Sequence, residues 1–99
     1  MSKYEIRYIE EAIIDLTDIF EYYKSTDIKY ANRILDKLDN RICILKTFPT
    51  IGKVFSHPNL INNHRIVHFD DYLIIYIIID NILEIRRVIH CKRDYINFI

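Results

Sequence analysis

Arg65, Arg87, His90, Arg93, Asp94 and Tyr95, with Lys53 and His57 from an upstream loop, are the residues whose types could do chemistry in this chain. Attack of a ribose 2′-hydroxyl on its neighbouring phosphate needs a base, a cation for the phosphorane charge and an acid for the departing 5′-oxygen. His90 or His57 could move the protons, Arg65 and Arg93 could hold the charge, and Tyr95 could stack on a base. Each assignment has a plainer rival. A histidine at a strand end is commonly a hydrogen-bonded structural residue. Tyr95 also fits a core or partner contact, and Arg93-Asp94 a local ion pair. The chain has no phosphate-cradling glycine loop, no nucleophile elbow and no CxxC or HExxH spacing. No metal and no other cofactor is expected.

The elements that must position these residues are strands. His64 to Asp94 reads as three short strands joined by two-residue turns at Asp70-Asp71 and Asp80-Asn81, where Asn81 suits the positive φ of a hairpin turn. Tyr72 to Ile79 is wholly apolar or aromatic and rich in β-branched Ile, which suits a central strand covered on both faces. Two-residue turns set the register: Ile79 opposite Ile82, Tyr76 opposite Ile85, Ile74 opposite Arg87, and on the other hairpin Val67 opposite Ile74 and Arg65 opposite Tyr76. One face then carries Val67, Phe69, Tyr72, Ile74, Tyr76, Ile78, Leu83, Ile85 and Ile89 with Arg65 and Arg87 among them. The other carries His64, Ile66, His68, Leu73, Ile75, Ile77, Glu84, Arg86, Val88 and His90. The first is the expected core face. Two arginines on it need partners, a carboxylate or a carbonyl each, or a cleft that opens beside them.

Lys3 to Tyr8 alternates Tyr4, Ile6 and Tyr8 against charged residues, the period of a half-exposed strand. From Ile9 the period changes: Ala12, Leu16, Ile19 and Tyr23 form a helical stripe, with Glu10 and Glu11 in the first turn where the helix dipole favours them. Lys24-Ser25-Thr26 closes this helix and Asp27 is placed to cap the next. Ala31, Leu35, Leu38, Ile42 and Leu45 carry the second stripe, which ends before Pro49. Asp36, Lys37, Asp39, Asn40 and Arg41 fall on its solvated side. Two such helices joined by about three residues make an antiparallel hairpin, and the sheet face is the surface they must cover. Thr50 to Ile61, with the only Gly and one of the two Pro residues, is expected to be irregular. The expected fold is α+β, ordered β-α-α-β-β-β, with the helical hairpin on one face of a small antiparallel sheet.

The 99 residues are half hydrophobic and 28% charged, which predicts one domain spanning 1–99 and excludes a disordered chain. No apolar run reaches membrane-spanning length and charges interrupt the first strand, so a cytoplasmic protein without membrane contact is expected. Cys43 and Cys91 have no metal-type spacing; Cys43 is expected in the core, and a disulfide is not expected in a reducing compartment. Basic and acidic residues number 14 each, nine and nine in residues 1–62, five and five in 63–99. That balance gives no help to non-specific nucleic-acid binding, and no helix-turn-helix or basic helix suggests direct sequence-specific DNA binding.

Arg65, Tyr72-x-x-x-Tyr76 and Ile85-x-Arg87-Val88-x-His90-x-x-Arg93-Asp94 resemble the C-terminal half of RelE/ParE-superfamily toxins of bacterial type II toxin–antitoxin systems. Upstream, Ala12-x-x-Asp15-Leu16-x-x-Ile19, Ala31, Leu38, Ile42, Leu45, Pro49 and Gly52 agree, so the resemblance covers nearly the whole chain. It implies a growth-inhibiting toxin neutralised by a cognate antitoxin that wraps sheet and helices. Two activities share this superfamily: ribosome-dependent mRNA endonucleases like RelE, and ParE-like poisons of DNA gyrase without an established nuclease site. The endonuclease reading would make Arg65, His90, Arg93 and Tyr95 catalytic. Lys53, His57, Arg87, Asp94 and Phe98 would contact target or antitoxin. The chain departs from the endonuclease pattern, lacking a surplus of Lys and Arg and carrying Asp94-Tyr95 where some endonucleases have His-Tyr. The resemblance therefore leans to gyrase over ribosome and message, with an inactive member kept as antitoxin partner and regulator as a third reading.

Overall fold

The structure, a computed structural model, describes residues 4–55 and 63–92. Strand β1 (Glu5–Tyr8) leads into helix α1 (Glu10–Lys24) and helix α2 (Ile28–Thr47), followed by β2 (Lys53–Phe55), β3 (His64–Phe69), β4 (Tyr72–Ile79) and β5 (Ile82–His90). The strands form one sheet in the order β1-β5-β4-β3-β2. Two features differ from the sequence expectation. β2 is an added strand inside the stretch expected to be irregular, antiparallel to β3 with Val54 opposite Arg65. The sheet is also mixed, because β1 runs parallel to β5 with Ile6 opposite Leu83. A parallel pair needs a long crossover, and the helical hairpin supplies it.

Both helices start and stop as the residues dictate. The Asp27 carboxylate accepts from the N–H groups of Lys29 and Tyr30 at the head of α2, and Glu10 and Glu11 occupy the first turn of α1. The shared stripe of Ala12, Ile19, Ile34, Leu38, Ile42 and Leu45 packs on Val67, Tyr72, Ile74, Tyr76, Leu83, Ile85 and Val88 of the sheet. Ile74 and Ile85, fully buried, thus face the helices as expected. Cys43 does not join them: it lies on the exposed side of α2, one position past the buried Ile42. Among the described residues no helix is long and apolar enough to cross a membrane.

The two hairpins turn through Asp70 and Asp80, which adopt φ of 50° and 54°. Positive φ thus falls on the first turn residue rather than on Asn81; a short side chain that bonds locally tolerates that conformation. The β3–β4 register agrees with the turn-based expectation throughout, Arg65 opposite Tyr76 and Val67 opposite Ile74. The β4–β5 register agrees only from the turn to Tyr76 opposite Ile85. Beyond it Ile75 meets Arg87 and Ile74 meets Val88, so Arg86 is one residue too many. This bulge inverts every side chain after it. Val88 turns to the helices, with His90 beside Tyr72 and α1, while Ile89 joins Ile66, Leu73 and Ile75 in a second cluster on the far side. Strict alternation put Val88 and His90 on the far face and Arg87 and Ile89 in the core; the bulge reverses all four, and Arg87 pairs with far-side Ile75.

Candidate functional site

The two arginines expected on the core face both have partners, of different kinds. Arg87, just past the bulge, sends its guanidinium to α1. Nε and Nη2 donate to the two Asp15 oxygens at 2.7 and 2.8 Å. Asp15 also accepts the backbone N–H of Val88 at 2.9 Å. Val88 lies beyond the last β1–β5 pair, Tyr8 opposite Ile85, and Asp15 supplies the acceptor that β1 no longer provides there. The pair is largely buried, with 18% and 10% of the two side chains exposed. The Asp15 hydrogen bonds, opposed by burial, hold the Arg87 guanidinium above its already high ordinary value, so it is charged at every working pH.

Arg65 instead grips backbone. Its Nη1 donates to the carbonyls of Gly52 at 2.8 Å and Thr50 at 3.2 Å. Beside it the Tyr76 hydroxyl donates to the Pro49 carbonyl at 2.7 Å and accepts the Gly52 N–H at 2.9 Å. Gly52 is required here by close approach: a Cβ would lie 2.5 Å from the Tyr76 hydroxyl oxygen and 2.8 Å from its Cε1. Burial raises the Tyr76 phenol above its ordinary value, with the Gly52 N–H and the Arg65 charge pulling the other way. Tyr76 and Arg65 together pin residues 49–52 to the sheet, immediately before β2, where Lys53 is exposed on the outermost strand.

His90 ends β5 opposite Tyr72. The rings meet edge to face at 5.6 Å, and His90 Nδ1 accepts the Lys92 N–H at 3.2 Å. Tyr72 donates to the Tyr23 hydroxyl at 3.2 Å, and burial with that neighbour pushes the Tyr72 phenol well above its ordinary value. His90, Tyr72 and Tyr23, with Asp15, Asp18, Ile19 and Tyr22 of α1, line a groove of about 390 Å³.

Of the residues singled out from sequence, the fold brings Arg87 and His90 to one end of β5 and Arg65 and Lys53 to the opposite side of the sheet. Arg65 opposes Tyr76 and His90 opposes Tyr72, two strands apart and four residues along. That is a separation of roughly 16 Å between backbones. His57, Arg93, Asp94, Tyr95 and Phe98 lie outside the described residues. Sequence reasoning missed the partners: Asp15, whose signal is a carboxylate set among the apolar residues of α1, and Tyr76 against the lone Gly52.

A helical hairpin laid across one face of a five-stranded mixed sheet, with arginines tied to helix and loop, defines an α+β architecture of the RelE/ParE kind. The family model described as the ParE toxin of type II toxin–antitoxin system, parDE, matches residues 6–95. The chain belongs to that family. Its fold is shared with a solved structure described as the chromosomal ParDE TA system from P. aeruginosa, at a TM-score of 0.75 over 90% of this chain and 97% of that one. Sequence identity there is 13%, so the likeness is one of fold. No curated protein matches the chain.

Proposed function

We propose that this toxin inhibits growth by acting on DNA gyrase and is neutralised by a cognate antitoxin. One observation carries the choice of gyrase over message cleavage. The two described groups that a nuclease would need stand apart, Arg65 committed to the Gly52 and Thr50 carbonyls and His90 roughly 16 Å from it. Base, acid and cation within reach of one phosphate are the minimum for 2′-hydroxyl attack. Membership of the ParE family supports the same choice. An antitoxin partner is supported by the exposed apolar residues Ile13, Ile14, Ile28 and Phe48 on and just past the helical hairpin, a surface a second chain would cover.

Induced expression with two readouts tests this. Loss of plasmid supercoiling and DNA breaks, reproduced with purified gyrase and relieved by co-expression of the neighbouring short reading frame, is the expected result. Translation arrest with cleaved messages and intact supercoiling overturns the gyrase reading in favour of a ribosome-dependent endonuclease. Harmless expression of soluble, folded protein overturns the growth-inhibiting reading and leaves a regulator.

A further inference from the structure

We propose that β1 pairs antiparallel with β1 of a second copy of this chain, centred on Ile6, joining two sheets into one. Among the described residues β1 is an edge strand, with β5 on one side only. The Glu5 N–H donates to Asn81 and the Ile9 N–H to Ile85, and the parallel register continues this alternation. The backbone of Glu5 and Arg7 therefore faces β5, while the N–H and C=O of Ile6 and Tyr8 face outward. An antiparallel partner centred on Ile6 makes Ile6 and its copy a mutually hydrogen-bonded pair. Glu5 of each copy then lies opposite Arg7 of the other, in the closer, non-hydrogen-bonded kind of pair.

The charges select this register. Centring on Arg7 sets arginine against arginine, and centring on Glu5 sets glutamate against glutamate, arrangements that repel. A parallel copy in register does both at once. Glu5 and Arg7, each 61% exposed, now satisfy one another within the strand at 3.2 Å and exchange partners without loss. Ile6 and Tyr8 pack on the helix-side core, so the joined sheets would keep one continuous covered face. The other edge lacks this code: centring on Val54 of β2 sets Lys53 against Phe55. A net charge of zero puts no long-range repulsion between copies.

Sedimentation of the purified full chain across a concentration range, with charge reversals at the edge, tests the pairing. The wild type should form dimers. Glu5→Arg and Arg7→Glu should each raise the dimer dissociation constant about tenfold or more, with melting temperature unchanged at dilutions where wild type and variants are all monomeric, because both side chains are exposed. The double variant should regain the dimer. Mixing the two weakened single variants should yield a heterodimer, since Arg at 5 then meets Glu at 7 and Arg7 meets Glu5. A wild type that stays monomeric at its highest soluble concentration overturns the proposal. So does a dimer indifferent to the single reversals, or failure of the mixture to associate. A β1 edge protected from hydrogen exchange only when an antitoxin is added overturns it in favour of that other occupant.

Discussion

Arg65 and Arg87 sit on neighbouring rows of the same sheet, Arg65 on the row of core-facing Tyr76 and Arg87 on the row of far-side Ile75, and the fold uses them in opposite ways. Arg87 ties layer to layer. Its bidentate ion pair with Asp15 crosses from β5 to α1, excludes most water and leaves Asp15 to accept the Val88 N–H beyond the end of β1. Arg65 ties loop to layer. It holds two carbonyls of residues 50–52 through bonds that water could replace. A charge bound to a buried opposite charge is costly to orphan, whereas a charge bound to neutral carbonyls at a partly exposed edge is less so. The same residue type thus marks a global constraint at one place and a local one at the other.

The largest effect should come from Asp15→Ala, which removes the carboxylate from the Arg87 guanidinium and the acceptor from the Val88 N–H together. A loss of about 3 kcal/mol is expected, read from denaturant midpoints. A loss below about 1 kcal/mol would make the clamp dispensable and erase the contrast. Gly52→Ala should follow, at about 2 kcal/mol, because its methyl group meets a fully buried ring that cannot turn aside. Hydrogen exchange should show faster opening of residues 49–55 than of β4 and β5. Arg65→Ala should cost about 1 kcal/mol with exchange altered over the same stretch only. Melting as far below wild type as Asp15→Ala would show both arginines to be global clamps.

The smallest effect is expected with alkaline pH. Burial, helped by the charge of Asp39, raises the Tyr8 phenol from 10.0 to about 12, and Tyr76 is raised as well. A folded pKa above the unfolded one means the native state holds its proton longer. Stability is then full below pH 10 and falls from there towards pH 12. At the loop, ionised Tyr76 could no longer donate to Pro49. Unfolding midpoints between pH 9 and 12 should decline in wild type and decline less in Tyr8→Phe.

Most of the fold is legible in the sequence because each element carries its own period. The helical stripes end where Pro49 and the Asp27 cap require, and the β3–β4 register follows from its turn alone. The bulge is not legible in this way. Nothing in the run Glu84 to Ile89 marks Arg86 as supernumerary; the reason lies in Asp15, distant in sequence, which rewards a strand that breaks step. β2 escapes notice for a related cause. Three residues are too few to show alternation, and their pairing depends on the hold that Arg65 and Tyr76 keep on the preceding loop. At the candidate site the residue types were readable, but which side chains are spent on structure depends on partners far along the chain.

The placement of β1 beside β5 has a consequence for synthesis. Among the described strands, the first made is the one whose hydrogen-bonding partner is made last, since Glu5 aligns with Ile82. Asp15 likewise waits for Arg87. Closing such long loops is the slow, entropically costly part of folding. While β5 is still within the ribosome, β1 has no ladder and the helical hairpin lacks much of the surface it covers. The hairpins of β3, β4 and β5, joined by two-residue turns, can form locally first. Folding of this domain is therefore expected to be a late event, completed after β5 is free rather than built up from β1.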